Sequence, residues 1–242
     1  MVFVLFLSAI LASAQGAQEI LLSTFFGPSG IRDKKAVYIG EMLQYFVSRP
    51  TLGQTLPPGA SSEYRKLRGD PNAEIWAIVI TVNHRSTDWY AYLRRDATTW
   101  KLEAVRTLAL SGVFFKALDT LSAKERTPSE ELTYQNMLLT TKSDVELKNY
   151  FLKNKPQFDE LIASFRSGNQ NRMKSIIEAL HLNAVTSFSR NEAITDLSIG
   201  GILDNSVGFM YVPKGASPPQ MSPNEFIYVE EIADRWYLYK TT

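Results

Sequence analysis

Two histidines, His84 and His181, limit where the chain can carry out acid–base chemistry. His84 opens a polar run that ends at Asp88, and a histidine that transfers protons needs a carboxylate to orient it. The pair predicts, as one hypothesis, a small-substrate hydrolase that uses His84 and Asp88. Alternatively, Ser86, Thr87 and Asp88 are turn residues whose side chains bond their own backbone. His181 closes a helical pattern, where a cation near the helix C-terminus is favoured for structural reasons alone.

Arginines and aromatic residues beside this run are candidates for ligand binding. Arg85 and Arg94 can hold an anion, and Tyr90 lies between them in an aromatic-rich segment. Because alternate strand residues point to opposite faces, some rings are expected at the surface, where they suit a glycan, a peptide or a partner protein. The alternative is that most of them belong to the core. The aromatic group comprises Trp76, Trp89, Tyr90, Tyr92, Trp100, Phe209, Tyr211, Tyr228, Trp236, Tyr237 and Tyr239.

Several other catalytic patterns are missing from the sequence. No Gly-X-Ser-X-Gly elbow occurs, which disfavours a serine hydrolase of the α/β type. The glycines at 27 and 30 lack the spacing of a phosphate-binding loop and fit an ordinary turn. Glu230 and Glu231 are adjacent on a predicted strand and therefore point to opposite faces. With no cysteine and two distant histidines, we predict no metal and no cofactor.

The candidate residues lie among predicted strands in the first half of the chain. Ile75 to Val82 is almost continuously apolar and rich in β-branched residues, which predicts a central strand covered on both faces. Residues 89–95 and 100–107 predict an antiparallel hairpin. Before them, apolar spacing predicts a helix over 39–46. Residues 49–71, with four prolines and three glycines, predict an extended loop.

The middle of the chain changes from strand to helix periodicity, and its end returns to strands. Capping boxes at Thr127–Glu130 and Ser143–Glu146 mark two helix starts within a helical block from about 112 to 182. Strands are predicted over 197–203, 207–212, 226–232 and 235–240. This order predicts an α+β fold, with an antiparallel sheet built from N- and C-terminal hairpins and the central helical block packed on one face.

Composition and the first residues indicate where the protein works. Met1 to Ala14 is an uncharged apolar run with small residues at 12 and 14, which predicts a cleavable signal peptide followed by one α+β domain over 15–242. The run is too short for a comfortable membrane span, so we expect no integral membrane segment after its removal. An exported chain without cysteine favours a bacterial periplasmic or secreted protein. With 26 basic against 25 acidic residues, no nucleic-acid partner is expected.

These observations leave two classes of function open. The scarcity of reactive residue types favours a non-enzymatic domain that binds a protein or a small-molecule ligand of the cell envelope. The alternative is the small-substrate hydrolase, in which Arg85 or Arg94 holds an anion beside His84 and Asp88. That alternative predicts a concave pocket around His84.

Overall fold

The computed structural model describes residues 16–202 and 204–242, and the predicted signal peptide, Met1 to Ala14, lies outside them, as does Leu203. In the described part, helices and strands alternate in blocks, which confirms the α+β class. The first half consists of α1 (Ala17–Phe25), α2 (Lys34–Val37), α3 (Gly40–Tyr45), α4 (Leu52–Thr55), β1 (Ser61–Gly69), β2 (Ala73–Val82), β3 (Arg85–Asp96) and β4 (Thr99–Arg106). The second half consists of α5 (Gly112–Ser122), α6 (Pro128–Thr140), α7 (Asp144–Ser167), α8 (Gln170–Ala179), β5 (Ala184–Phe188), β6 (Asn191–Ile202), β7 (Asn205–Tyr211), β8 (Phe226–Ala233) and β9 (Trp236–Thr241).

The first sheet is an antiparallel meander in the order β1-β2-β3-β4. Its central strands are β2 and β3, and the predicted strand over 75–82 lies within β2. Helices α1 to α4 cover one face of this sheet, where Leu22, Tyr38 and Met42 pack against Ile78 and Leu102. The other face turns toward the helices and strands of the second half. The prediction that this strand is covered on both faces is therefore confirmed.

The prediction of an extended loop over 49–71 is wrong. Helix α4 and strand β1 occupy most of this segment. Strand β1 lies at the edge of the sheet and pairs through its backbone with β2, from Ser61 opposite Thr81 to Gly69 opposite Glu74. Because an edge strand with polar, mostly exposed side chains shows no apolar pattern, its sequence resembles that of a loop.

The helical block is confirmed by α5 to α8, which extend from Gly112 to Ala179. Helices α6 and α7 begin at the two predicted capping boxes, where Thr127 and Ser143 each bond the third residue of the helix that follows. His181 lies just after α8, as expected. Together these helices provide the apolar side chains that cover the second sheet, among them Phe151, Phe158, Leu161 and Ile176.

The strands from the two ends of the chain form two sheets rather than one. The second sheet is also antiparallel and has the order β5-β6-β7-β9-β8. Each end of the chain supplies enough strands to form a sheet of its own, and β9 lies between β7 and β8 in the second sheet. The sheets meet through side chains, for example where the Tyr92 hydroxyl donates to the Ile227 carbonyl at 3.0 Å. One buried cluster accordingly includes residues of both sheets and of α6 to α8.

Most of the aromatic group is buried, as expected if these rings belong to the core. Tyr90, Phe209, Tyr228 and Trp236 are at most 1% exposed. Within the described ranges, no helix has the length and apolar character needed to cross a membrane.

Candidate functional site

His84 and Asp88, the predicted catalytic pair, lie in different environments. Asn83 and His84 form the two-residue turn between β2 and β3, both with left-handed backbone (φ 48° and 64°), and His84 is exposed. Asp88 lies inside β3 rather than in a turn, with a side chain that is 4% exposed. Its carboxylate accepts hydrogen bonds from Lys240 and from the backbone of Asp144. The structure therefore does not bring Asp88 to His84.

The three predicted binding residues do not converge either. Arg85 and Arg94 are both exposed but stand nine residues apart on β3, about 30 Å along an extended strand. Arg94 pairs with Glu103 at 2.5 Å. Tyr90 is completely buried and faces the interior together with Asp88. Of the predicted site residues, Asp88 and Tyr90 are the two that share one site.

That site is a buried ionic cluster of Asp88, Asp144 and Lys240. The Lys240 Nζ lies 2.9 Å from Asp88 Oδ2 and 2.7 Å from Asp144 Oδ1. The three side chains are 4 to 5% exposed, so water has almost no access to them. The Tyr90 hydroxyl donates to both Asp144 oxygens, at 2.9 and 3.0 Å. One amine is thus held between two carboxyl groups in an interior lined by aromatic rings.

Three distant parts of the chain position the buried ionic cluster. Asp88 comes from β3, Asp144 is the first residue of α7, and Lys240 points inward from β9. The capping box of Ser143 fixes the start of α7, and the Asp144 amide donates to Asp88 Oδ2 at 2.8 Å. The cluster therefore joins the first sheet, the long helix and the last strand.

Burial and neighbouring charges shift the protonation of the cluster. Burial raises the pKa of Asp144; Lys240 opposes that shift, and repulsion from Asp88 adds to it. For Lys240, burial lowers the pKa, but Asp144 and Asp88 together raise it above the ordinary value. Burial thus favours the protonated form of Asp144, and the two carboxyl groups favour the charged form of Lys240.

A second polar group adjoins the cluster on its outer side. The Tyr228 ring stacks on Tyr90 at 4.9 Å, and its hydroxyl donates to Glu230 at 2.6 Å. The Glu230 carboxylate also accepts hydrogen bonds from both terminal nitrogens of Arg65, at 3.0 and 2.7 Å, and forms an ion pair with Lys148 at 3.0 Å. The ring stack of Tyr90 and Tyr228 therefore links the buried cluster to the half-buried Glu230, which lies on the edge strand β8 and pairs with Arg65 on the edge strand β1.

Sequence reasoning missed Asp144 and Lys240. Asp144 lies between the predicted capping residues Ser143 and Glu146, and Lys240 ends the predicted strand over 235–240, so neither was a candidate site residue. Lys240 could have been found from its position in the strand alternation. Trp236, Leu238 and Lys240 lie on the same face of β9, and the first two are at most 1% exposed. A charged residue at a buried strand position needs an internal partner, but the sequence does not say which one.

A groove on the surface offers a second candidate site. It has a volume of about 350 Å³ and lies between α7 and the turn that joins β8 to β9. Trp236 contributes to its lining and donates its indole N–H to Asp159 at 3.1 Å. The lining residues are Lys155, Asp159, Ile162, Ala163, Arg166, Tyr211, Asp234, Arg235 and Trp236. We call this site the arginine groove.

Two guanidinium groups flank one aromatic ring in the arginine groove. Arg166 and Arg235 lie 4.9 and 5.4 Å from the centre of the Tyr211 ring. Arg235 lies beside Asp234 at 3.2 Å, and Lys155 pairs with Asp159 at 2.7 Å. Within residues 16–202 and 204–242, no ion pair involves Arg166. The groove therefore has an excess of positive charge next to an apolar surface.

A larger groove, of about 420 Å³, lies between α6 and α8. Its apolar side chains are Leu132, Met173, Ile177 and Leu182, and its two charged residues, Lys174 and Glu178, stand 4.0 Å apart. The Asn136 amide is already engaged with the His181 carbonyl at 2.9 Å. This groove offers apolar surface without an uncompensated charge.

Comparison of the chain with protein-family models, with curated proteins and with solved structures finds no match. The buried ionic cluster and the arginine groove are therefore interpreted from their own geometry.

Proposed function

We propose that this chain is an exported bacterial binding protein without enzymatic activity, and that its ligand is a small anion held in the arginine groove. The observation that carries the proposal is the pair of guanidiniums, Arg166 and Arg235, on one tyrosine ring in an open groove. Guanidinium groups bind carboxylates and phosphates through two parallel hydrogen bonds. Cation–π contact with Tyr211 holds Arg166 without using its donors, whereas Arg235 also donates from Nε to Asp234 at 3.2 Å.

The form of the groove supports a ligand with an apolar body as well as an anionic group. Ile162, Ala163 and the Trp236 ring lie beside the cations, and a volume of about 350 Å³ falls at the lower end of small-molecule sites. None of the lining residues is a histidine, serine or threonine. His84, the hydrolase candidate, lies on a turn of the other sheet. These features support binding rather than turnover.

Calorimetric titration with benzoate and phenyl phosphate tests the ligand class. We expect saturable binding that weakens with added salt, as ionic contacts do. Arg166→Gln should weaken it by about tenfold, a loss of about 1.4 kcal/mol. Arg172→Gln is the matched control, because Arg172 pairs with Glu160 and does not line the groove. Absence of saturation, or equal affinity in all three proteins, contradicts the proposal.

Export is supported by the apolar, uncharged run from Met1 to Ala14 and by the lack of cysteine. The test is the intact mass of the protein recovered from the periplasm or medium after expression with its native N-terminus. A chain that begins at Gln15 agrees with export to the periplasm or beyond. A full-length chain that stays in the cytosol contradicts it.

A further inference from the structure

The buried ionic cluster brings together the two groups from which an amide is made. The Lys240 amine lies within 2.9 Å of a carboxyl oxygen of both Asp88 and Asp144, in a site that is 4 to 5% exposed. The proposed ligand groove does not use these residues. Amine and acid held in contact react with the large effective concentration of an intramolecular pair.

The surroundings of Asp144 favour nucleophilic attack on its carboxyl carbon. The Tyr90 hydroxyl donates to both of its oxygens, so negative charge that develops on either oxygen meets a donor already in place. Burial raises the pKa of this carboxyl, which favours the protonated form that an amine can attack. The Asp144 Oδ1 lies 2.7 Å from the amine.

Asp88 has the surroundings of a base. Its Oδ2 lies 2.9 Å from the amine and also accepts a hydrogen bond from the Asp144 backbone amide at 2.8 Å. Its other oxygen, Oδ1, is buried and has no hydrogen-bond partner within the described part of the chain. An acceptor without a donor at this place can take up a proton.

We propose that Lys240 and Asp144 condense into an intramolecular amide bond, with Asp88 as the base and Tyr90 as the oxyanion donor. The ammonium gives a proton to the Asp88 carboxylate, and the neutral Nζ attacks Cγ of the protonated Asp144. The C–N bond forms and one C–O bond breaks. The hydroxyl leaves as water with a proton relayed from nitrogen through Asp88. The products are a neutral amide, one water and a protonated Asp88, so protons and charge balance and no oxidant or activating group is needed.

The site also favours the product over the reactants. Three buried ionisable groups are replaced by an amide and a neutral acid, which removes charges from a poorly solvated interior. Water has little access to the bond once it forms, because the surrounding side chains are almost fully buried. The bond ties the first residue of α7 to the last strand of the second sheet.

The test is the intact mass of the wild-type chain, isolated in denaturant from inclusion bodies so that it has not yet folded, before and after the first folding of the same preparation. We expect the folded protein to lose the mass of one water as it reaches its native fold. Trypsin should then release residues 143–148 joined to residues 236–242, with no cleavage after Lys240. Comparison within one preparation cancels any difference in processing of the N-terminus.

Variants separate the chemistry from loss of folding. Asp144→Asn should still form the bond but lose ammonia instead of water, a mass change that structural damage does not produce. Lys240→Arg keeps the positive charge but removes the amine nucleophile, and Asp88→Asn removes the base, so both should keep their full mass. Lys148→Arg, the control, lies in the adjoining ion pair with Glu230 and should lose water like the wild type.

Two outcomes overturn the proposal. One is a wild-type chain that folds, as judged by its circular dichroism, and keeps its full mass. The other is a crosslinked peptide that joins Lys240 to Asp88, because it shows that the acyl group has been assigned to the wrong carboxyl.

Discussion

The buried ionic cluster and the arginine groove treat a cation beside a tyrosine ring in opposite ways. Lys240 lies 5.8 Å from the Tyr90 ring and Arg166 lies 4.9 Å from the Tyr211 ring. Lys240, however, is 4% exposed and has two carboxyl partners, whereas Arg166 is exposed and forms no ion pair within the described residues. Solvent makes the difference, because a cation without water must be compensated inside the protein.

Lys240 therefore carries a charge that stabilises the fold, whereas the charge of Arg166 is available to a ligand. The partners of Lys240 are fixed by the fold, so its removal damages the interior. Arg166 keeps its hydrogen-bond donors for solvent or a ligand, so its removal should leave the fold intact. Substitutions graded from the first site to the second should therefore change stability by decreasing amounts.

Lys240→Met should have the largest effect. It leaves Asp88 and Asp144 buried without their cation, and the loss is measured against Lys240→Arg, which keeps the positive charge but cannot form the amide. Removing one partner of a buried ion pair costs about 3 to 5 kcal/mol. The free energy of unfolding from urea titrations measures this loss. Lys142→Met is the control, because the exposed pair of Lys142 with Glu146 should contribute about 1 kcal/mol or less. Equal losses in the two variants would show that the buried carboxyl groups of Asp88 and Asp144 do not depend on the charge of Lys240.

Tyr90→Phe should have the next largest effect. The variant keeps the ring that stacks on Tyr228 but removes the hydroxyl that donates to both oxygens of Asp144. A buried acceptor that loses its donor costs about 1 to 3 kcal/mol. Urea unfolding again gives the loss, with Tyr45→Phe as the control, since Tyr45 is 57% exposed. A loss no greater than that of the control would mean that Asp144 does not depend on this donor.

The buried ionic cluster also shows how far sequence reasoning extends. Strand β3 was predicted from its aromatic run, and the starts of α6 and α7 from their capping boxes, because these signals are local. Asp88 was selected for its type and its neighbour His84, but the residues it contacts are 56 and 152 positions away. Contacts at such separations depend on how two sheets and a helix pack, and no local pattern encodes that arrangement.

The same limit explains the arginine groove and the sheets. Arg166 and Arg235 come from a helix end and a hairpin turn, and each alone is an ordinary surface residue. The number of sheets also escaped prediction, because alternation along a strand shows which faces are buried but not which strands pair. Strand β1 was missed for the converse reason, since its pairing is through the backbone and leaves few apolar side chains.

Glu230 is half-buried, and its burial is intermediate between that of the buried ionic cluster and that of Arg166. It should make the free energy of unfolding depend on pH, with an effect smaller than that of Lys240→Met or Tyr90→Phe. Partial burial would raise the pKa of Glu230, but hydrogen bonds from Arg65, Tyr228 and Lys148 outweigh it and lower that pKa from 4.5 to about 2. A carboxyl with a depressed folded-state pKa adds stability above its unfolded pKa, and this stability is lost as the pH falls toward the folded value. Wild type should therefore lose about 1 kcal/mol more than Glu230→Gln between about pH 5 and pH 2, after allowance for solvent screening. Parallel pH profiles of the two proteins would contradict this assignment.

Arg166→Gln should have the smallest effect on stability and so completes the comparison. The guanidinium is exposed, and its contact with Tyr211 is of the kind that contributes about 0.5 to 1 kcal/mol at the surface. Glutamine keeps part of the packing against the ring, so we expect a change in the free energy of unfolding of about 0.5 kcal/mol or less. If urea titrations instead show a loss like that of Lys240→Met, Arg166 is part of the structural framework and is not available to a ligand. A small loss of stability together with weakened anion binding would show that Arg166 contributes to ligand binding rather than to the stability of the fold.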